Sequence, residues 1–195
     1  MVRDQNDLDF YINNDKDEAT KFSRYDYVIK FAENWFKVLN ILKSKNLLAK
    51  FIKDVDGLTL VGENIDNNNQ HIKLYNEDQI QFYSIVRNDS QVICENIEFT
   101  KAFFNKYGLK LVEVTMFCKT DSLNDFFGQM KKLYSMILKS NVDQEGEGNV
   151  VYFSSFDGSG SKEEVVSLAK LKTFEYKIYR ALREKLKVYV AEYGK

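Results

Sequence analysis

Two lysines and a glutamate set the first question. Lys170 and Lys172 stand two residues apart at the end of VVSLAKLK (165–172), a stretch that reads as a strand. Side chains two apart on a strand point to one side, so these two ammonium groups project together. An earlier strand opens on an acidic residue, Glu145 or Glu147, within EGEGNVV (145–151). One carboxylate and two co-directed ammonium groups suit a nucleoside triphosphate and its metal ion. The carboxylate serves Mg²⁺ and the lysines serve phosphate oxygens. The ordinary alternative is a solvated hairpin whose lysines block edge pairing.

Stepping outward from that trio, 195 residues suffice for a domain with a real core. The chain is 44% hydrophobic and 29% charged with a net charge of −1, so no global basic field marks a nucleic-acid binder. The charge is uneven, however. Residues 1–20 carry two basic and six acidic residues, and residues 162–195 carry nine basic and five acidic ones. A phosphate-facing end is therefore expected at the C-terminal side. The two cysteines, Cys94 and Cys118, lie in no CxxC or Cys/His cluster, which argues against zinc. Both are expected as reduced thiols in an intracellular protein. No apolar run is long enough to span a membrane, and no signal peptide is visible.

The elements that must hold the trio follow from periodicity. Residues 1–22 are polar and acidic and are expected as a loose arm; residues 23–195 are expected to form one domain. Residues 24–52 read as helix with a break at Ser44–Asn46, carrying the stripe Val28, Phe31, Trp35, Val38 and Leu42. Strands are expected at 58–63, 71–75, 79–86, 92–94 and 109–117. Helices are expected at 97–107, stopped by Gly108, at 121–140 and at 173–193. The last shows Tyr176, Tyr179, Leu182, Leu186 and Val190 on one face. The fold class is α+β, a mostly antiparallel sheet with flanking helices. His71, the only histidine, has no Ser, Cys or Asp partner at a recognisable spacing and is expected to be structural or RNA-contacting.

In this order and spacing the pieces resemble a covalent nucleotidyltransferase of the RNA-ligase kind, and most of all the adenylyltransferase domain of fungal-type tRNA ligases. The strings that carry the resemblance are AENWF (32–36), LVGEN (60–64), HIKLYNED (71–78), IQFYSIVRND (80–89), FFNKYGLKLVEV (103–114), EGNVV (147–151) and LAKLKTFEYKIYRALRE (168–184). The resemblance runs roughly from Ala32 to Lys187, most of the chain. The resemblance implies a partial nucleotidyltransferase core that binds ATP with Mg²⁺ and acts on RNA ends. It implies that Lys170 and Lys172 contact the α-phosphate and that Glu147 holds the metal. Glu147 is preferred to Glu145 because Val150-Val151 then sits at the family's distance. It also implies Glu63 beside the ribose, Phe82 or Tyr83 stacked on adenine, and strands 58–63 and 165–172 side by side, so that Glu63 meets Lys172.

The family's nucleophilic lysine, in Lys-x-Asp/Asn-Gly, has no counterpart in these residues. Lys53-Asp54-Val55-Asp56-Gly57 has one residue too many and lies directly before LVGEN. Three alternatives stand: one half of a split ligase whose lysine comes from a second protein chain, a non-catalytic ligase-like subunit that binds RNA or protein, or an unrelated α+β interaction domain. A sheet without the strands around that lysine exposes an edge, so a partner chain along that edge, or the N-terminal arm filling the gap, is expected.

Overall fold

The computed structural model describes residues 21–66, 77–89, 92–115, 122–139, 147–156 and 163–194, with side chains from residue 26 onward. Residues 1–20 of the arm expected over 1–22, the strand 71–75 with His71, Cys118 and Glu145 lie outside the described residues, and residues 21–22 are helical rather than part of an arm. The elements are α1 (Lys21–Ser44), α2 (Leu48–Asp54), β1 (Leu58–Ile65), β2 (Gln79–Arg87), α3 (Ile97–Tyr107), α4 (Leu123–Lys139), β3 (Gly148–Phe156), β4 (Glu163–Lys172) and α5 (Phe174–Tyr193). The class is α+β, and among the described residues both sheets are two-stranded and antiparallel. The elements fall into two compact units, α1 to α3 with β1 and β2, and α4, α5 with β3 and β4.

In the first unit, Asn46 takes a left-handed φ of 57° and breaks α1 from α2. Asparagine tolerates that conformation better than most residues. The core gathers Leu42, Phe51, Phe82, Phe103, Phe104 and Tyr107, with Trp35 and Val38 packed against it. The α1 stripe reaches this core only in part: Trp35, Val38 and Leu42 do, whereas Val28 and Phe31 are 39% and 45% exposed. Asn96 caps α3 by accepting the Phe99 N–H at 2.8 Å, and Gly108, at φ 62°, ends it.

Two expected strands are not strands. Residues 92–94 form a bend, and directly after it the Glu95 N–H donates to the Ile85 carbonyl of β2 at 2.8 Å. Over the described part of 109–117 there is a single parallel bridge, Leu111 to Phe82. Its apolar alternation serves one-sided docking: Leu109 is buried, Leu111 packs on the core, and Glu113 is exposed.

In the second unit, Ser122 Oγ accepts the Asp125 N–H at 3.1 Å and donates to its carboxylate at 2.7 Å, starting α4. This helix buries Leu133 and Ile137, and Phe126 meets Phe153 of β3 with ring centroids 6.0 Å apart. The β3–β4 register shifts between Phe153 and Ser154, leaving Val166 as the extra residue. Thr173 caps α5, its Oγ1 accepting the Tyr176 N–H at 3.1 Å. Of the residues expected on one face of α5, Tyr176 is buried, while Tyr179, Leu182, Leu186 and Val190 are exposed. Among the described residues no helix is long and apolar enough to cross a membrane.

Candidate functional site

The β3–β4 register builds the corner at which Glu147 meets Lys172. Gly148 lies opposite Lys172, and Val150 lies opposite Lys170. Gly148 has a φ of 135°, backbone that L side chains rarely adopt. A Cβ there would lie 2.1 Å from the Leu171 carbonyl oxygen and 2.7 Å from Lys172 Cα. The glycine thus lets the start of β3 close against the end of β4, and this delivers Glu147 to Lys172. The Glu147 carbonyl accepts the Thr173 N–H at 3.2 Å, and its carboxylate accepts from Lys172 Nζ at 2.5 Å. The same ammonium lies 4.1 Å from the Tyr176 ring centroid, a cation–π contact.

This is a partly shielded place. The Lys172 and Glu147 side chains keep 17% and 21% of their exposure. Lys170 is exposed on the same strand two residues earlier. Thr173 and Tyr176 belong to the first turn of α5, so the positive end of that helix dipole adds to the two ammonium groups. A shallow concavity elsewhere on α5 is lined by Leu182, Leu186 and Val190 and includes none of the trio.

The sequence-derived residues divide between the units. Glu147, Lys170 and Lys172 lie in the second, where Glu147 meets Lys172 and Lys170 stands two residues earlier on β4. Between Glu145 and Glu147, it is Glu147 that contacts Lys172. Glu63, Phe82 and Tyr83 lie in the first, on β1 and β2. Phe82 is a core residue, 3% exposed and stacked on Phe104 with centroids 4.8 Å apart. Its ring face is taken, which removes it as an adenine platform. Tyr83 is the extra residue of a bulge, because Val61 faces Ser84 and Gly62 faces Phe82. Glu63 is exposed opposite Gln81. The β1–β4 pairing implied by the resemblance is not among the described strand pairs: β1 bonds to β2, and β4 to β3.

Among the described residues no group of three or more His, Cys, Asp or Glu gathers. Mg²⁺ is commonly held by one or two carboxylates, with its remaining ligands from water and phosphate. Glu147 is the carboxylate at the corner, and its other commitment is to Lys172.

Other polar groups were not singled out from the sequence. The sequence places Tyr176 on the α5 stripe and within LAKLKTFEYKIYRALRE, and Lys-x-Lys-Thr-x-x-Tyr sets it one helical turn past the cap. Asn34 and Asn64 sit inside AENWF and LVGEN and join those two strings. Asn34 Nδ2 donates to Asn64 Oδ1 at 2.9 Å and to the Ile65 carbonyl at 3.3 Å, and Asn34 Oδ1 accepts from Lys37 at 3.0 Å. Both asparagines are buried. Asp54 accepts from Lys106 and from the Tyr107 hydroxyl. These bonds, Lys106 first, hold its carboxyl below the ordinary range. Cys94 is a buried free thiol, and burial pushes its pKa up.

No protein-family model, no curated protein and no solved structure matches this chain.

Proposed function

We propose that the chain is a ligase-like nucleotide-binding module of the RNA-ligase kind, gripping the phosphates of ATP at the β3–β4–α5 corner and serving as one half of a split ligase. One observation carries this: the hairpin register brings the Glu-Gly of β3 and the Lys-x-Lys of β4 to one point, with a sterically obligatory glycine between them. In this role Lys170 and Lys172 bind phosphate oxygens and meet charge that develops there. Tyr176 holds Lys172 from below, and Thr173 fixes the helix turn that carries Tyr176. Glu147 holds the divalent cation, which neutralises phosphate charge when bound. The amine that accepts AMP is supplied from outside residues 1–195, and RNA ends are the acceptor.

The test is ATP binding by calorimetry, followed by incubation with α-labelled ATP and Mg²⁺. ATP is expected to bind, Lys172→Gln to abolish binding, and this chain to acquire no covalent label. Absence of ATP binding at millimolar concentration, with the chain folded, overturns the proposal.

A second reading, a non-catalytic protein-binding subunit, is favoured by α5. Of its 20 residues only Tyr176 is buried. Tyr179, Leu182, Leu186, Tyr189 and Tyr193 follow 3-4-3-4 spacing and are 45% to 67% exposed. This is a coiled-coil seam. The helix carries five basic and three acidic residues, so the occupant is a partner helix with an apolar seam and acidic flanks. A synthetic heptad peptide with Leu in the seam and Glu at its flanks is expected to bind, and its Lys-flanked twin is not. Equal binding of the two, or a stable dimer of the chain alone in light scattering, overturns this assignment.

A further inference from the structure

The spacing of the α5 seam does not stop at Tyr179. One step further back, the same alternation of four and three lands on Glu175. The seam is then Glu175, Tyr179, Leu182, Leu186, Tyr189 and Tyr193, with Glu175 as its one charged member. Glu175 Oε1 accepts from the Tyr179 hydroxyl at 2.8 Å, so the first two seam positions form a polar pair. The four positions beyond are Leu or Tyr and are 55% to 67% exposed. The seam is polar at one end and apolar along the rest.

An acidic residue in the first turn suits the positive end of the helix dipole. That accounts for a carboxylate in this turn but not for its place on the seam. An acid at Phe174, in the same turn, off the seam and 58% exposed, would serve the dipole equally. On the seam the carboxylate meets whatever covers the helix, and Glu175 is already half-buried in the chain alone. A partner that laid a leucine there would strip water from the charge and offer no bond in return. A partner that laid a lysine or arginine there would pair it. One charged seam position therefore sets the register, because every other alignment leaves it against an apolar side chain.

Resting on the protein-binding reading of α5, we infer that Glu175 selects the partner helix and fixes its register. Besides an apolar seam and acidic flanks, the occupant carries one basic residue at the seam position that faces Glu175. Tyr179 is a positioning residue, its hydroxyl tying the carboxylate to the seam.

The experiment titrates the full chain with fluorescent heptad peptides that share Glu flanks and differ only in the seam. One has Leu throughout, one has a single Lys at the central seam position, and one has it at a terminal position. The last is made at each end, so that both helix directions are covered. Wild type is expected to bind the better end-Lys peptide at least about tenfold more tightly than the all-Leu peptide, and the central-Lys peptide most weakly. Glu175→Leu is expected to bind the all-Leu peptide more tightly than the end-Lys one. Glu175→Lys is expected to move the preference to a peptide with Glu at that same end. Circular dichroism and thermal melts establish that each variant is folded. A role of Glu175 in the helix alone would change affinity for every peptide by one factor and keep their order. Equal binding of end-Lys and central-Lys peptides by wild type, or an order that survives Glu175→Leu, overturns the inference and leaves α5 a partner-binding helix. No binding of any Glu-flanked peptide by folded wild type overturns both.

Discussion

Replacing Gly148 with alanine tests the corner at its narrowest point. The residue sits at φ 135°, and holding an L side chain in such a region costs about 1–3 kcal/mol. The new Cβ would stand 2.1 Å from the Leu171 carbonyl oxygen and 2.7 Å from Lys172 Cα. Both are backbone atoms, so no side chain can swing away to relieve the clash. Relief requires the end of β4 to part from β3, which also loses the Thr173-to-Glu147 backbone bond, worth about 1 kcal/mol. The combined effect is about 3 kcal/mol, or roughly a hundredfold rise in local opening of the hairpin end. Hydrogen exchange of the β3 and β4 amides reads this directly. Gly128→Ala is the control. It lies inside α4, a Cβ there meets nothing within 4 Å, and alanine should stabilise the helix by about 1 kcal/mol. Protection of β3–β4 in Gly148→Ala equal to that of wild type would refute the steric argument. So would stability shifts of the same sign in the two variants.

Phe104→Ala should cost about 3–5 kcal/mol in denaturant unfolding, since Phe104 is fully buried and stacks on Phe82; a loss below about 1 kcal/mol would remove it from the core. Asp54→Asn should flatten the pH dependence of stability at both ends. The lowered Asp54 pKa gives stability that is present above the ordinary carboxylate value and lost as pH falls through the folded value. The raised Lys106 pKa, caused first by its bond to Asp54, gives stability that is present below the ordinary lysine value and lost as pH rises through the folded one. Parallel pH–stability curves for wild type and Asp54→Asn would contradict this. Thr173→Ala removes the cap of α5 and should cost about 1 kcal/mol, read as faster exchange of the Tyr176 amide; unchanged exchange there would deny the cap its role.

The sequence was most legible where chemistry and local geometry coincide. Gly108 ends α3 because only the left-handed region continues the chain there, and glycine announces that in any context. Glu147, Lys170 and Lys172 were legible because a strand period of two and a short loop determine what a hairpin can bring together. Tertiary demands were less legible. The alternation of 109–115 carries the signature of a strand, yet only Leu111 bridges to β2, since alternation records which side is buried and not how many peptide groups find partners. Phe82 and Tyr83 are equivalent as aromatic neighbours in sequence. The bulge at Val61–Gly62 and the ring of Phe104 tell them apart, and neither is visible in a two-residue pattern. The Asn34–Asn64 bond joins residues thirty apart whose types suggest caps and turns as readily as a buried pair.

The exposure of α5 and the chemistry of the corner share one cause. Among the described residues the hairpin end holds the first turn of the helix through Thr173 and Tyr176. Beyond that turn Leu182, Leu186, Val188 and Tyr189 are each 55% exposed or more. A helix gains most of its stability from packing an apolar face, and a segment of this length is marginal by itself in water. Helical order in α5 should therefore fall with distance from Tyr176. Amide exchange should be slowest near Tyr176 and quicken steadily towards Tyr193. Uniform slow exchange along α5 in the isolated chain would show that the face is already covered, and it would remove the case for a partner helix. A Glu-flanked peptide that binds the seam should slow exchange in the distal turns first. It should also tighten ATP binding at the corner, because Tyr176 and its cap then fluctuate less beside Lys172. By linkage ATP should tighten the peptide by the same factor, and a peptide that binds without changing ATP affinity would separate the two surfaces.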